Sequence, residues 1–261
     1  MNEPSGSTKR TDVAITASGL RKRYGETTVV DGVELNVPRG TVYGFLGPNG
    51  AGKTTTMRML TTLTRPTAGE ATVSGTSIAD RDGVREAIGY LPEEPPLFEE
   101  LTGIEQLEYF GRLREVPSAE ASDRIEAWLD RFDLADDAGK RIEDYSKGMR
   151  QKLGLIQALL HEPEVVFLDE PTSGLDPRAA RTVIDASAEM TEAGRTVFLS
   201  THILSVVEEL ADAVGVLHEG RLVAEGSPAE LTATAERGDD SSLEDVFLSV
   251  TTDTKREPSR R

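Results

Sequence analysis

Thr41-Val-Tyr-Gly-Phe-Leu46 runs directly into Gly47-Pro-Asn-Gly-Ala-Gly52-Lys53-Thr54. The first six residues read as a buried strand, the next as a glycine-rich turn, and a helix is expected from about Thr54 to Leu63. The turn matches G-x-x-x-x-G-K-[ST] in the strand–loop–helix setting which that pattern requires. Its residue types are those a phosphate demands. Glycines let the backbone curl so that successive N–H groups face phosphate oxygens. The helix behind presents its positive N-terminal end to the same anion. Lys53 then reaches the β- and γ-phosphates, and the Thr54 hydroxyl takes a place on Mg²⁺. The pattern points to a nucleoside triphosphate and is silent about the reaction.

Further along, Val165-Val-Phe-Leu-Asp169-Glu170 is an apolar strand that ends in two acids. Asp169 is expected to hold Mg²⁺ through water, and Glu170 to polarise an attacking water. Thr196–Ser200 and Ala213–Leu217 read as further core strands, and Gly220 marks a hairpin into Arg221–Ala224. The stretch from about 97 to 161 differs. Its apolar residues, such as Ile125, Trp128, Leu129 and Phe132, fall at helical spacing, which predicts a helical insertion on an α/β core with Trp128 as a core anchor. Residues 1–11 and 251–261 are rich in Ser, Thr, Pro and charge and are expected to be disordered tails around one unit, residues 12–250.

Composition narrows the partners. The chain has 261 residues, no cysteine and a formal net charge of −17. That rules out a disulfide framework, a thiolate nucleophile and a Cys-based zinc site. The acidic balance argues against a nucleic-acid groove and against direct adhesion to anionic lipid. No apolar run approaches the ~18 residues of a membrane span, and Met1 to Thr11 has no signal-peptide character, so a cytoplasmic chain is expected. The 29 basic residues divide into 7 Lys and 22 Arg. Excess carboxylate would repel itself in dilute buffer and be screened in molar salt, which reads as adaptation to a salt-rich cytoplasm. The alternative is an ordinary acidic protein from a genome that favours Arg codons.

Taken in order, these motifs resemble the nucleotide-binding subunit of ATP-binding-cassette (ABC) transporters over roughly residues 13–250. Tyr145-Ser146-Lys147-Gly148-Met149 stands where that family carries its L-S-G-G-Q signature. Pro171-Thr-Ser-Gly174-Leu175-Asp176 follows the acid pair as the family's D-loop does, and Ser200-Thr-His202 matches its switch histidine. The resemblance implies a P-loop (RecA-like) α/β core with an antiparallel β-subdomain and a helical subdomain. It implies ATP and Mg²⁺ as ligands, with Gly47, Pro48, Asn49, Gly50, Ala51, Gly52, Lys53, Thr54 and Thr55 around the phosphates. Tyr24 would stack on adenine, and His202 would meet the γ-phosphate. Ser146 caps a helix whose apolar positions include Met149, Leu153, Ile156 and Leu160; with the Gly148 N–H it forms a second anion site. In the family that site meets the ATP of an opposite subunit, so two subunits, alike or different, close head to tail over two nucleotides.

Two departures from the family pattern stand out. Glu93 replaces the usual Q-loop glutamine; a carboxylate can keep a Mg²⁺-side role but cannot donate an N–H. Lys147 and Met149 replace Gly and Gln in the signature, and Lys147 is expected to add positive charge near the γ-phosphate site. Tyr-Ser-Lys-Gly-Met-Arg-Gln-Lys, with Ser242-Leu-Glu-Asp-Val-Phe247 near the end, looks like the subgroup that serves ABC-2 type exporters, including antibiotic and multidrug efflux ATPases. That implies an ATP-hydrolysing subunit on the cytoplasmic face of the membrane, held there by a separate permease through a surface near Glu93 to Leu107. His161 and His218 are expected to be structural. Two other readings stay open: a soluble ABC ATPase of repair, translation or cofactor assembly, and a nucleotide-binding regulatory module.

Overall fold

The computed structural model describes residues 12–234 and 242–252. Two sheets share the work. The larger has six strands: β3 (Val42–Leu46), β6 (Ile88–Leu91), β7 (Val165–Asp169), β8 (Thr196–Thr201), β9 (Ala213–His218) and β10 (Arg221–Gly226). Their spatial order is β10-β9-β3-β8-β7-β6. All are parallel neighbours except β9 and β10, which form the antiparallel hairpin expected at Gly220. The smaller sheet is antiparallel, in the order β2-β1-β4-β5, from β1 (Val13–Tyr24), β2 (Thr27–Pro38), β4 (Ala68–Val73) and β5 (Thr76–Ser77).

The central strands are buried throughout and largely apolar because both faces of their sheet are covered. Tyr43, Phe45, Phe167 and Phe198 point to one side with the apolar face of the small sheet. Phe198 sits at the middle of this group, with ring centroids 5.2–5.5 Å from the other three. Val42, Val166, Leu168, Val197 and Leu199 point to the other side, against the helices. Truncating Phe198, fully buried, to Ala should cost about 3–5 kcal/mol.

The helices are α1 (Lys53–Leu60), α2 (Arg81–Ala87), α3 (Gly103–Leu113), α4 (Ser118–Arg131), α5 (Lys147–Leu159), α6 (Pro177–Glu192), α7 (Leu204–Leu210), α8 (Pro228–Thr234) and α9 (Leu243–Thr252). α3, α4 and α5 lie in the middle stretch of the sequence, and Ile125, Leu129, Phe132, Leu153, Ile156 and Leu160 join one apolar cluster there.

Three expectations need correction. α1 stops at Leu60, short of Leu63, because Thr62 takes a left-handed conformation with φ 62° and turns the chain. Trp128 is half-buried and packs on Phe132; the fully buried anchor is Phe132 itself. The expected C-terminal tail begins too early, since α9 continues through Thr252, and the Thr251 hydroxyl bonds to Phe247 O at 2.6 Å. The rest of that tail and the N-terminal one, residues 1–11, lie outside the described residues.

Candidate nucleotide site

The topology alone gathers the motifs. β3, β8, β7 and β6 are parallel neighbours, so the loops leaving their carboxyl ends open on one edge of the sheet, where α/β sheets bind ligands. Those four loops carry Gly47–Lys53, His202, Glu170 and Glu93. Parallel register sets Leu46 beside Thr201 and Asp169 beside Ser200.

The loop after β3 folds tightly onto its surroundings. A Cβ at Gly47 would stand 2.4 Å from the carbonyl oxygen of Leu217, so only glycine fits beside β9. Gly52 has φ +106° and precedes α1. The first helical amide with a partner is Thr56, bonded to Gly52 O at 2.9 Å. The amides of Lys53, Thr54 and Thr55 before it are the donors that a helix start leaves without an intrahelical partner, and all three residues line a cleft. That cleft, of about 370 Å³, is lined by Pro48, Asn49, Gly50, Gly52, Lys53, Thr54 and Thr55 together with Val29, Glu93, Glu170, Ser173 and His202. Ala51, in the same loop, is buried and does not line it.

A chain of polar contacts runs from the buried Lys53 and Glu170 out to the exposed His202. Lys53 Nζ donates to Gly47 O at 2.7 Å and lies 3.1 Å from Glu170 Oε1, with both side chains nearly inaccessible. His202 Nδ1 lies 2.9 Å from Glu170 Oε2, which makes it the donor, and the His202 side chain is 42% exposed. Glu170 holds this position in a left-handed backbone conformation, φ 48°, uncommon for a residue with a side chain. Asp169 accepts from Thr54 Oγ1 at 3.2 Å and from Ser200 Oγ at 2.5 Å. Among the described residues no cluster of three or more His, Asp or Glu forms a metal cage. A hydroxyl and one carboxylate still fit Mg²⁺, which keeps waters and takes substrate phosphate oxygens as further ligands.

Ser200 was not singled out from the sequence for a role of its own. Its hydroxyl donates to Asp169 and accepts from the Glu170 amide at 3.2 Å, so it fixes both acids. The available signal was its place two residues before His202 at the end of a core strand. Ser173, also on the cleft wall, lies inside the Pro171–Asp176 motif without a role of its own, and Val29 carries no signal.

Three expected residues stand elsewhere. Ser146 caps α5, accepting from Met149 N at 3.2 Å, and shares with Gly148 a second cleft of about 360 Å³ bordered by Arg131, Lys152, Asp176 and Arg178. Tyr24, half exposed near the β1–β2 turn, is not on the wall of either cleft; Lys22 Nζ lies 4.9 Å from its ring centre. Lys147 departs from expectation. It does not line the Ser146 cleft but turns toward Gly174, where a Cβ would stand 2.5 Å from its Nζ. His161 Nε2 donates to Ile88 O at 2.9 Å, and burial, with help from the Arg114 charge, pushes the ring down to about 4.

A doubly covered parallel sheet, a glycine loop feeding a helix and a strand-end acid pair define a P-loop ATPase. The family described as ABC transporter matches residues 30–173. The chain is 48% identical over 223 residues to the daunorubicin resistance ATP-binding protein DrrA3 of Streptomyces coeruleorubidus, covering 85% of this chain and 71% of that one. It is 40% identical over 222 residues to the bacitracin transport ATP-binding protein BcrA of Enterococcus faecalis, covering 84% and 71%. A solved structure titled as the ATP binding subunit of an ABC transporter superposes with a TM-score of 0.84 at 32% identity, covering 91% of this chain and 99% of that one. The chain belongs to the ABC transporter family and is an ATP-binding ATPase subunit of it, in the group that includes drug-resistance and bacitracin-transport proteins.

Proposed function

We propose that this subunit hydrolyses ATP to power export through a separate ABC-2 type membrane permease. The observation that carries the chemistry is the Lys53–Glu170–His202 cluster in the cleft, in which the buried Lys53–Glu170 pair is bonded to an exposed histidine. The names of the two relatives, one a drug-resistance protein and one a transport protein, favour export. Among the described residues no helix is long and apolar enough to cross a membrane, so attachment at the cytoplasmic face falls to the permease, docked near Glu93 to Leu107.

Phosphates lie on the 47–55 loop, and Lys53 exchanges Glu170 for the β- and γ-phosphates. Mg²⁺, held by Thr54 and Asp169 with Glu93 on its outer side, would neutralise charge on the phosphate oxygens. Once Lys53 has left it, the Glu170 carboxylate accepts a proton from the attacking water. His202, anchored by Glu170 through Nδ1, offers Nε2 to the γ-phosphate and must be cationic to donate from both nitrogens. Charge that develops on the transferring group is met by Lys53, the loop amides and His202. Tyr24 stacks on the adenine. Ser146 and Gly148 serve the nucleotide of a second subunit, identical or not, so ATP favours the closed pair by its differential affinity.

Glu170→Gln should retain ATP binding, lose turnover and accumulate a nucleotide-bound dimer on gel filtration. Turnover near that of the parent would refute the role of Glu170. Copurification with a six-helix permease supports export, whereas a ribosome or assembly-factor partner would overturn it. We also read the surplus of carboxylate as an adaptation to high salt.

A further inference from the structure

Glu93 and Lys147, both departures from the family pattern, line one groove. This groove, of about 410 Å³ between the turn after β6 and the start of α5, is lined by Glu93, Glu94, Glu99, Lys147, Arg150 and Gln151, among others. Glu93 also belongs to the wall of the nucleotide cleft, so this residue borders both hollows.

The charges of this groove are unequally engaged. Arg150 is occupied, with Nη1 3.4 Å from Glu99 Oε1 and Nη2 donating to Glu143 O at 3.0 Å. Glu99 is thereby matched, which leaves Glu93 and Glu94. Lys147 is the cation of the groove with no carboxylate within 4 Å among the described residues. It occupies the first position of α5, where the positive helix end disfavours a cation. Its ammonium is held against Gly174, beside Ser173 of the cleft wall.

A carboxylate at Glu93 adds negative charge beside a triphosphate, and a cation in the same groove lowers that potential. We propose that Lys147 is a positioning residue which offsets the charge of Glu93 and so lets a carboxylate stand next to the nucleotide. This rests on the nucleotide site proposed above.

The test is a double-mutant cycle on the full chain, read as affinity for MgATP by displacement of a fluorescent ATP analogue. At low salt, Lys147→Met should weaken binding about twofold, since two exposed charges more than 4 Å apart command only the lower part of the ion-pair range, and Lys147→Arg should restore it. In the Glu93→Gln background the same Lys147→Met change should move affinity by less than about 1.5-fold, and in molar KCl the effect should shrink in both. Equal losses in the two backgrounds, no loss at all, or failure of Arg to restore binding would overturn the proposal while leaving the nucleotide site intact. A parent chain that binds no MgATP overturns the site and this proposal together.

Discussion

Replacing Ser200 with Ala removes one oxygen and disturbs both acids of the site. The Ser200 hydroxyl is fully buried and donates at 2.5 Å to Asp169 Oδ1, itself 1% exposed. A hydrogen bond to an ionised group is worth about 1.5–3 kcal/mol, and water cannot reach the vacated position to replace it. Asp169 keeps the weaker Thr54 contact at 3.2 Å, and the Glu170 amide keeps Ser200 O at 3.0 Å. The expected loss is therefore a single charged hydrogen bond, about 2 kcal/mol, which lowers the melting temperature by roughly 4–8 °C in a chain of this size. The functional loss should be larger in proportion. A group that orients a metal-binding carboxylate typically contributes 10- to 100-fold in metal affinity. Magnesium titration of ATPase activity at saturating ATP should show the half-activating concentration raised about that much, with turnover at saturating Mg²⁺ less affected. An unchanged magnesium requirement in a folded Ser200→Ala chain would refute the assignment of Asp169 to the metal.

Other outcomes follow from the same geometry. His161, held near 4 in the folded chain against about 6.5 when unfolded, favours the neutral form on folding. Its contribution is complete above pH 6.5 and is lost as pH falls toward 4. Between pH 7.5 and 5 that amounts to about 2 kcal/mol, so in urea melts His161→Gln should be less acid-sensitive than the parent by that difference. Gly47→Ala drives a methyl into the Leu217 carbonyl at 2.4 Å and should cost about 1–3 kcal/mol together with nucleotide affinity; a parent-like melt with parent-like binding contradicts the packing. The chain should melt higher in molar KCl than in dilute buffer, where 46 acids face 29 bases, and a flat salt response contradicts adaptation to salt.

Much of the fold was legible from residue types. The runs Val42–Leu46, Val165–Asp169 and Thr196–Thr201 are buried at every position and apolar except at their ends, because neither face of their sheet meets water, and that continuity distinguishes them from amphipathic helices. Helix ends were harder. The stop at Leu60 depends on Thr62 taking a positive φ, which no local preference of threonine announces. Helical spacing offers Trp128 as readily as Phe132 for the anchor, because it gives a face but not the depth at which each residue sits on it.

The sequence by itself determined that a triphosphate loop, an acid pair and a signature serine occur in one chain, since these motifs are local and their chemistry follows from adjacent residues. Tertiary structure decided what is not local. Strand order β3-β8-β7 places Ser200 beside Asp169, 31 residues away, and hydrogen-bonds Glu170 to His202 across 32. It also sends Lys147 away from the serine it follows and toward Gly174 and the groove of Glu93. The reason is physical: pairing between strands and the direction of a side chain leaving a helix are fixed by packing across the whole sheet, which a string of neighbours does not encode.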